Sequence, residues 1–321
     1  MPSIADTRQE LVQLVLPEHA NIHGNLFGGR MMDWITRAAT LPVMRLARGP
    51  VVLGSMDDLD FLAPVRVGDL VTLRAQVEYI GRSSMDVTVE VDAEDPRTGA
   101  SRRATSAHLA MVAVDDAGRP RPVGPAIVPA DHTEHEAVNA ARARKAARDE
   151  RLAHRAREVA SAAAVEEQHE DDLRYAVEAP RLVFPDDAFT GKVMFAGRLL
   201  LVIDEVASIV AVRYARGPVV TASIDGLDFY APIYVGNIVT YQAAINYVGR
   251  TSLEVGVRVP AEEARSGVVR HTCTAYMTVV HVGPDGRPRS VPPFEPRTPA
   301  ERRRWEEAQA RRLLRARRMG A

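Results

Sequence analysis

Arg48-Gly49-Pro50-Val51-Val52 recurs as Arg216-Gly217-Pro218-Val219-Val220, 168 residues further on. The same spacing carries Asp57, Leu59, Asp60 and Phe61 onto Asp225, Leu227, Asp228 and Phe229. It carries Gly81-Arg82 onto Gly249-Arg250, and Gly118-Arg119-Pro120-Arg121 onto Gly286-Arg287-Pro288-Arg289. No gap is needed from about Pro17 and Pro185 to Pro125 and Pro293. Self-similarity over so long a register restricts the chain to two copies of one unit. The 321 residues suffice for two domains of ordinary size.

Each copy has the same order of elements. A short apolar strand opens it, Leu11 to Leu16 and Ala179 to Phe184. One long helix follows a glycine-containing loop, about Gly28 to Ala47 and Ala196 to Ala215. Val71, Leu73, Ala75, Val77 and Tyr79 then alternate with polar residues, as do Met85, Val87, Val89 and Val91 beyond a Gly81-Arg82-Ser83 turn. Period two predicts strands with one buried and one wet face, and the short turn makes them antiparallel. His108 to Val114 and Tyr276 to Val282 read as a last strand. In copy two, Leu199 to Ile203 is an unbroken apolar run, so the helix is buried on most sides. The expected class is α+β, two tandem hotdog domains, each an antiparallel sheet wrapped round one long central helix. An open sheet of this kind leaves a pairing edge, and the tandem partner is its natural cover.

The expected divisions are 1–128 and 173–296 for the two hotdog domains, 129–172 for a charged helical linker and 297–321 for a basic C-terminal helix. Between Pro129 and Pro180 there is neither Gly nor Pro, and the charged linker and basic tail read as solvated helices in preference to nucleic-acid contacts. His132, His135, His154 and His169 in the linker read as solvated too. Net charge is −1, which gives no global field for nucleic acid or anionic membrane. No stretch approaches a bilayer span. The one cysteine, Cys273, precludes an internal disulfide framework and reads as a core residue. A soluble, cytoplasmic protein is the expectation, with neither nucleic-acid binding nor membrane insertion.

The stretch His23-Gly24-Asn25-Leu26-Phe27-Gly28-Gly29-Arg30 enters the central helix of copy one. Gly28 and Gly29 allow close backbone approach, and the first helical amides favour developing negative charge, as at a thioester oxyanion. Asn25 either positions a substrate carbonyl or caps the helix. The register puts Val193 opposite Asn25 and Thr36 opposite Asp204. Asp204 lies two helical turns beyond Gly197, as a structural or exposed carboxylate or as a general base or nucleophile. If the halves pair about a pseudo-two-fold axis, Asn25 meets Asp204, while Val193 and Thr36 form a dead counterpart. Asp33, about one turn before Thr36, reads as a surface residue or a competing acid, and the surface is the expectation. No H-E-x-x-H, G-x-S-x-G or P-loop is present.

These residues resemble the tandem hotdog acyl-CoA thioesterases. Ala20 to Gly29, Asp57 to Pro64 with Val67-Gly68-Asp69, and Gly81 to Met85 carry the resemblance, which covers both repeats. It implies hydrolysis of fatty acyl-CoA to free acid and CoA, with Asn25 and Asp204 as the composite active site. It also implies CoA binding near the strand turns, here Arg82, Ser83, Ser84, Arg250, Thr251 and Ser252. Arginine suits phosphate, although Arg82 and Arg250 also read as ordinary turn residues. No metal or other cofactor is implied, since CoA is part of the substrate. The resemblance further implies a homo-oligomer, a trimer of double-hotdog chains. A departure is Met194-Phe195-Ala196-Gly197, which lacks the paired glycine. Two other activities fit the fold: an enoyl-thioester hydratase or dehydratase using His23, and a non-catalytic acyl-CoA carrier.

Overall fold

The structure, a computed structural model, describes residues 1–162, 173–189 and 192–318. The first repeat contains β1 (Gln9–Leu14), α1 (Gly28–Ala47), β2 (Val51–Met56), β3 (Leu59–Asp60), β4 (Leu70–Ile80), β5 (Ser84–Asp95) and β6 (Ala100–Ala113). After α2 (His132–Ala162), the second contains β7 (Ala176–Leu182), α3 (Ala196–Ala215), β8 (Val219–Ile224), β9 (Leu227–Asp228), β10 (Asn237–Val248), β11 (Ser252–Glu263) and β12 (Val269–His281), and α4 (Pro299–Arg318) follows. The class is α+β with two hotdog repeats, each an antiparallel sheet around one central helix.

Both central helices have the span read from the sequence. The first strands lie two to three residues earlier than expected, because Pro17 and Pro185 open 3-10 turns that take Leu16 and Phe184 off the ladder. Backbone pairing of Gln9 with Ala75 and Glu10 with Arg74 needs no apolar side chain, so the alternation does not mark the start. The last strands are longer than expected for the same reason: Ala100 to Thr105 extends the ladder with β5 through mainly polar residues.

The sheets run β1-β4-β5-β6-β2-β9 and β7-β10-β11-β12-β8-β3. Each therefore ends on a two-residue strand donated by the other repeat. Ser55 and Met56 pair with Asp228 and Leu227, and Leu59 and Asp60 with Ile224 and Ser223. This is the edge cover expected of the tandem partner, made by the repeated Leu-Asp-Phe segments.

One-sided burial holds for most of each strand and fails where a second layer forms. Val71, Leu73, Ala75 and Val77 are buried, but a register shift between Val77 and Tyr79 puts Glu78 and Ile80 inside and leaves Tyr79 half-buried. Asp86 and Glu254, at equivalent positions on the outward faces, are also buried.

The cause is α2 and α4, which are not solvated on all sides as expected. Arg144 of α2 meets Glu78 at 2.6 Å, and Arg148 meets Asp57 at 3.0 Å and Asp86. Arg315 of α4 does the same, meeting Asp225 at 2.6 Å and Glu254 at 2.5 Å. Asp57 and Asp225, like Asp86 and Glu254, are repeat equivalents, so the duplication extends to the helices outside the sheets. Arg151 of α2 pairs with the buried Asp228 at 2.9 Å and Glu134 near its start is buried, while His132 and His135 are exposed. Linker residues 163–172 lie outside the described residues, as does the side chain of His154. Among the described residues no helix is long and apolar enough to cross a membrane. Cys273 is buried in the core.

Candidate active site

α1 and α3 pack directly on one another, and their N-terminal turns meet closely. A Cβ on Gly29 would lie 2.9 Å from the Leu201 Cα, and one on Gly197 would lie 3.1 Å from the Asp33 Cα. Only glycine permits this approach. The contact corrects the expected surface position of Asp33, which is fully buried between the helices and paired with Arg37 at 2.9 Å.

At one end of this helix pair, Asp204 Oδ2 accepts the Gly29 amide at 2.5 Å. Its Oδ1 accepts the Thr221 hydroxyl at 2.6 Å. The carboxylate is fully buried. Burial pushes its pKa up to about 6, while the bonds from Thr221 and Gly29 pull the other way. The N-terminus of α1 adds favourable dipole for the charged form. The result is a carboxylate ionised at neutral pH yet much more basic than a surface one, as a general base requires.

Gly28 stands against the same group. A Cβ there would come within 2.9 Å of both Asp204 Oδ2 and the Thr221 Cβ. The Gly29 amide, expected to face an oxyanion, instead holds the acid. Asn25 is half-buried and bridges Arg66 through the backbone, three residues before α1. The helix cap is Phe27, with no side-chain capping bond, so Asn25 does not serve as the cap. Among the described residues no hydrogen bond joins the side chains of Asn25 and Asp204. Asn21 organises the loop, its Oδ1 accepting the amides of His23 at 2.9 Å and Asn25 at 3.3 Å.

The pseudo-symmetric position is different. Thr36 and Val193, the counterparts of Asp204 and Asn25, line one cavity of about 800 Å³ between the halves. Leu53, the counterpart of Thr221, and Phe189, the counterpart of Asn21, line it too. Thr36 spends its hydroxyl on the Met32 carbonyl at 2.8 Å. Four polar positions of one site are thus apolar or internally bonded in the other. Ala196 stands where the first repeat has Gly28, and Thr36 stands where the second has Asp204, the group that a Cβ on Gly28 would meet.

Sequence reasoning missed Thr221 and Asn21. Comparing all loop and strand positions across the 168-residue offset, rather than Asn25 and Asp204 alone, exposes both as polar residues replaced in the other copy. Arg82 and Arg250 are exposed at the β4–β5 and β10–β11 turns, and Ser83, Ser84, Thr251 and Ser252 are half-buried beside them. The carbonyls of Ser83 and Thr251 accept the amides of Ala113 and His281. These six form two separate turn clusters; among the described residues no hydrogen bond joins them to Asp204. His23, the other candidate acid–base group, has its Nε2 buried without a hydrogen-bonding partner among the described residues.

A family model described as the thioesterase superfamily matches residues 23–100 and 191–268. The two matches are separated by the offset of the internal repeat. The chain is 43% identical over 136 residues to Protein VdlD of Helicobacter pylori (strain ATCC 700392 / 26695), covering 42% of this chain and 78% of that one. The chain belongs to the thioesterase superfamily. Over a longer span it is 27% identical to the human cytosolic acyl coenzyme A thioester hydrolase, covering 96% of this chain and 83% of that one. A solved acyl-CoA hydrolase from Staphylococcus aureus, with butyryl coenzyme A, coenzyme A and coenzyme A disulfide, is 32% identical. It covers 50% of this chain and 98% of its own, with a TM-score of 0.46. Within the thioesterase superfamily framework, the Asp204 cluster draws Gly28 and Gly29 from the first matched segment and Asp204 and Thr221 from the second.

Proposed function

We propose that this protein is an acyl-CoA thioesterase, hydrolysing fatty acyl-CoA to free acid and CoA at one composite site between its halves. The observation that carries this is the fully buried, raised-pKa Asp204, held across the repeat boundary by the Gly29 amide and within its own repeat by Thr221. The names of the relatives support the substrate class.

Each Asp204 oxygen accepts one hydrogen bond and keeps a lone pair free. Asp204 takes a proton from water as the water oxygen attacks the thioester carbonyl carbon. The carbonyl electrons move to oxygen, and the Gly28 amide at the positive end of α1 stabilises that oxyanion. Collapse breaks the carbon–sulfur bond, and the departing CoA sulfur takes the proton back from Asp204. Asn25 orients the carbonyl or the water. Direct attack by Asp204 would instead form a mixed anhydride that water then hydrolyses; single turnover in ¹⁸O-water places label in Asp204 only on that route. Arg82, Ser83, Ser84, Arg250, Thr251 and Ser252 contact the CoA portion, arginine supplying charge-assisted bonds to phosphate. No metal or redox group enters this chemistry. The chain works in the cytoplasm and assembles as a trimer of double-hotdog units.

The test is thiol release from a panel of acyl-CoAs by wild type and by Asp204→Asn. Release by wild type, lost in the variant, supports the proposal. Hydration of an enoyl thioester without thiol release would point to a hydratase, and binding without either reaction to a carrier; both overturn it.

A further inference from the structure

The cavity at the pseudo-symmetric position lacks the polar groups of the Asp204 site, although Asp115, Asp116 and Lys192 also line it. Its volume of about 800 Å³ falls in the range of about 300–1,000 Å³ that encloses most of a small ligand. The four residues equivalent to the polar groups of the Asp204 site are Thr36, Leu53, Phe189 and Val193. Three are apolar, and the fourth has its hydroxyl bonded to its own helix. Nothing among these four can activate water. Apolar walls around such a space gain packing contacts when an apolar ligand fills it.

We propose that this cavity is a second, non-hydrolysing site for a linear fatty acyl chain. The occupant is argued from two observations. The wall is largely apolar, with Met194, Leu199 and Phe229 beside Phe189 and Val193. The space also stands, by the internal repeat, where the Asp204 site stands in the other half, so it descends from the same binding surface. The choice of ligand rests on the acyl-thioester reading above. Lys192, one of only two lysines in the chain, is exposed at the cavity. It can meet either a fatty-acid carboxylate or the phosphates of an acyl-CoA, so the acyl chain itself is the chemistry in common.

The experiment counts bound acyl chains by calorimetry on the full chain. One arm uses palmitate, and the other uses a palmitoyl-CoA analogue with a non-hydrolysable thioether in place of the thioester. The analogue is expected to bind at two sites per chain if the cavity accepts the thioester form. Palmitate is expected to bind in the cavity if the free acid suffices. Affinity at the cavity is expected to rise roughly fourfold per added methylene until the space is full. Val193→Trp and Ala231→Phe, which fill the cavity, are expected to remove one site while leaving thiol release within about twofold of wild type. A diazirine-bearing palmitate analogue, photolysed on wild type, gives a readout that needs no variant; label is expected in the segment containing Phe195 and Leu199. One analogue site, no palmitate binding and no label there would overturn the proposal. So would unchanged stoichiometry in both filled variants with native circular dichroism. A wild type that binds palmitate in this cavity yet releases no thiol from any acyl-CoA would overturn the function above and leave this site standing.

Discussion

The carboxylate of Asp204, in the second repeat, accepts the backbone amide of Gly29, in the first, at 2.5 Å. An acid of one copy is thereby fixed on the helix N-terminus of the other. Neither repeat alone contains this arrangement, and the symmetry-related position, with Thr36 for the acid, does not reproduce it.

Burial of this acid sets a cost that can be measured. With an ordinary value of 3.8 and a folded-state value of about 6, Asp204 holds its proton more tightly in the folded chain. Below about pH 4 both states are protonated and no penalty exists. The penalty grows as pH rises and is complete above about 6, so ionised Asp204 destabilises the fold at neutral pH. Asp204→Asn is expected to lose activity yet gain up to about 3 kcal/mol of stability at pH 7.5. The gain is expected to vanish near pH 4. Urea unfolding at the two pH values measures it, and equal effects at both would remove burial as the cause.

On the proposed reaction, the same group sets the acid limb of the rate profile. kcat/KM is expected to fall about tenfold per pH unit below pH 6. Thr221→Val removes a bond that lowers the Asp204 pKa. It is therefore expected to move the limb to higher pH and to reduce kcat about 10- to 100-fold. A limb that stays in place would show that Thr221 acts on something other than the acid.

Gly28→Ala is expected to displace the carboxylate, since its Cβ would stand 2.9 Å from Asp204 Oδ2. Activity should drop at least about tenfold, as small misplacements of catalytic groups do. The mirror change, Ala196→Gly, should leave activity within about twofold. Initial-rate thiol release on both variants decides it.

Outside the site, Arg148 and Arg315 hold α2 and α4 to the sheets by pairing with the buried Asp86 and Glu254 and the half-buried Asp57 and Asp225. Burial pushes Asp225 up to about 6 even beside Arg315. Truncating either arginine leaves two acids without that partner in a mostly dry layer. Arg148→Ala or Arg315→Ala is expected to destabilise the chain by about 3–5 kcal/mol. Thermal unfolding with the wild type alongside tests this; losses under 1 kcal/mol would show that the helices are held by apolar contacts instead.

The duplication, the central helices and the antiparallel hairpins were legible because they rest on identity and periodicity, which are local. The pairing of Leu59–Asp60 with β8 was not, because two residues cannot signal a strand. The docking of α2 was hidden by its arginines, whose partners Glu78, Asp57 and Asp86 lie far away in sequence, Glu78 and Asp86 on strand faces expected to be wet. Asp33 was misplaced for a related reason. Only the approach permitted by Gly197 shows that its side chain is enclosed. At the site, the Asn25/Val193 and Asp204/Thr36 substitutions were visible in the repeat. The part played by the Gly29 amide was not, since a backbone group leaves no mark in the sequence beyond the glycine that lets it come close.

The central claim is that one of two symmetry-related sites is catalytic and the other is not. Matched substitutions across the repeat test it in a single assay: Asn25→Ala beside Val193→Ala, and Asp204→Asn beside Thr36→Val, with thiol release from palmitoyl-CoA as the readout. Asn25→Ala and Asp204→Asn are expected to lose at least about 100-fold in kcat/KM, a value ordinary for removed acid–base and positioning groups. Val193→Ala and Thr36→Val are expected to stay within about twofold. Comparable losses on both sides, or none on the Asn25 and Asp204 side, would contradict the asymmetric site.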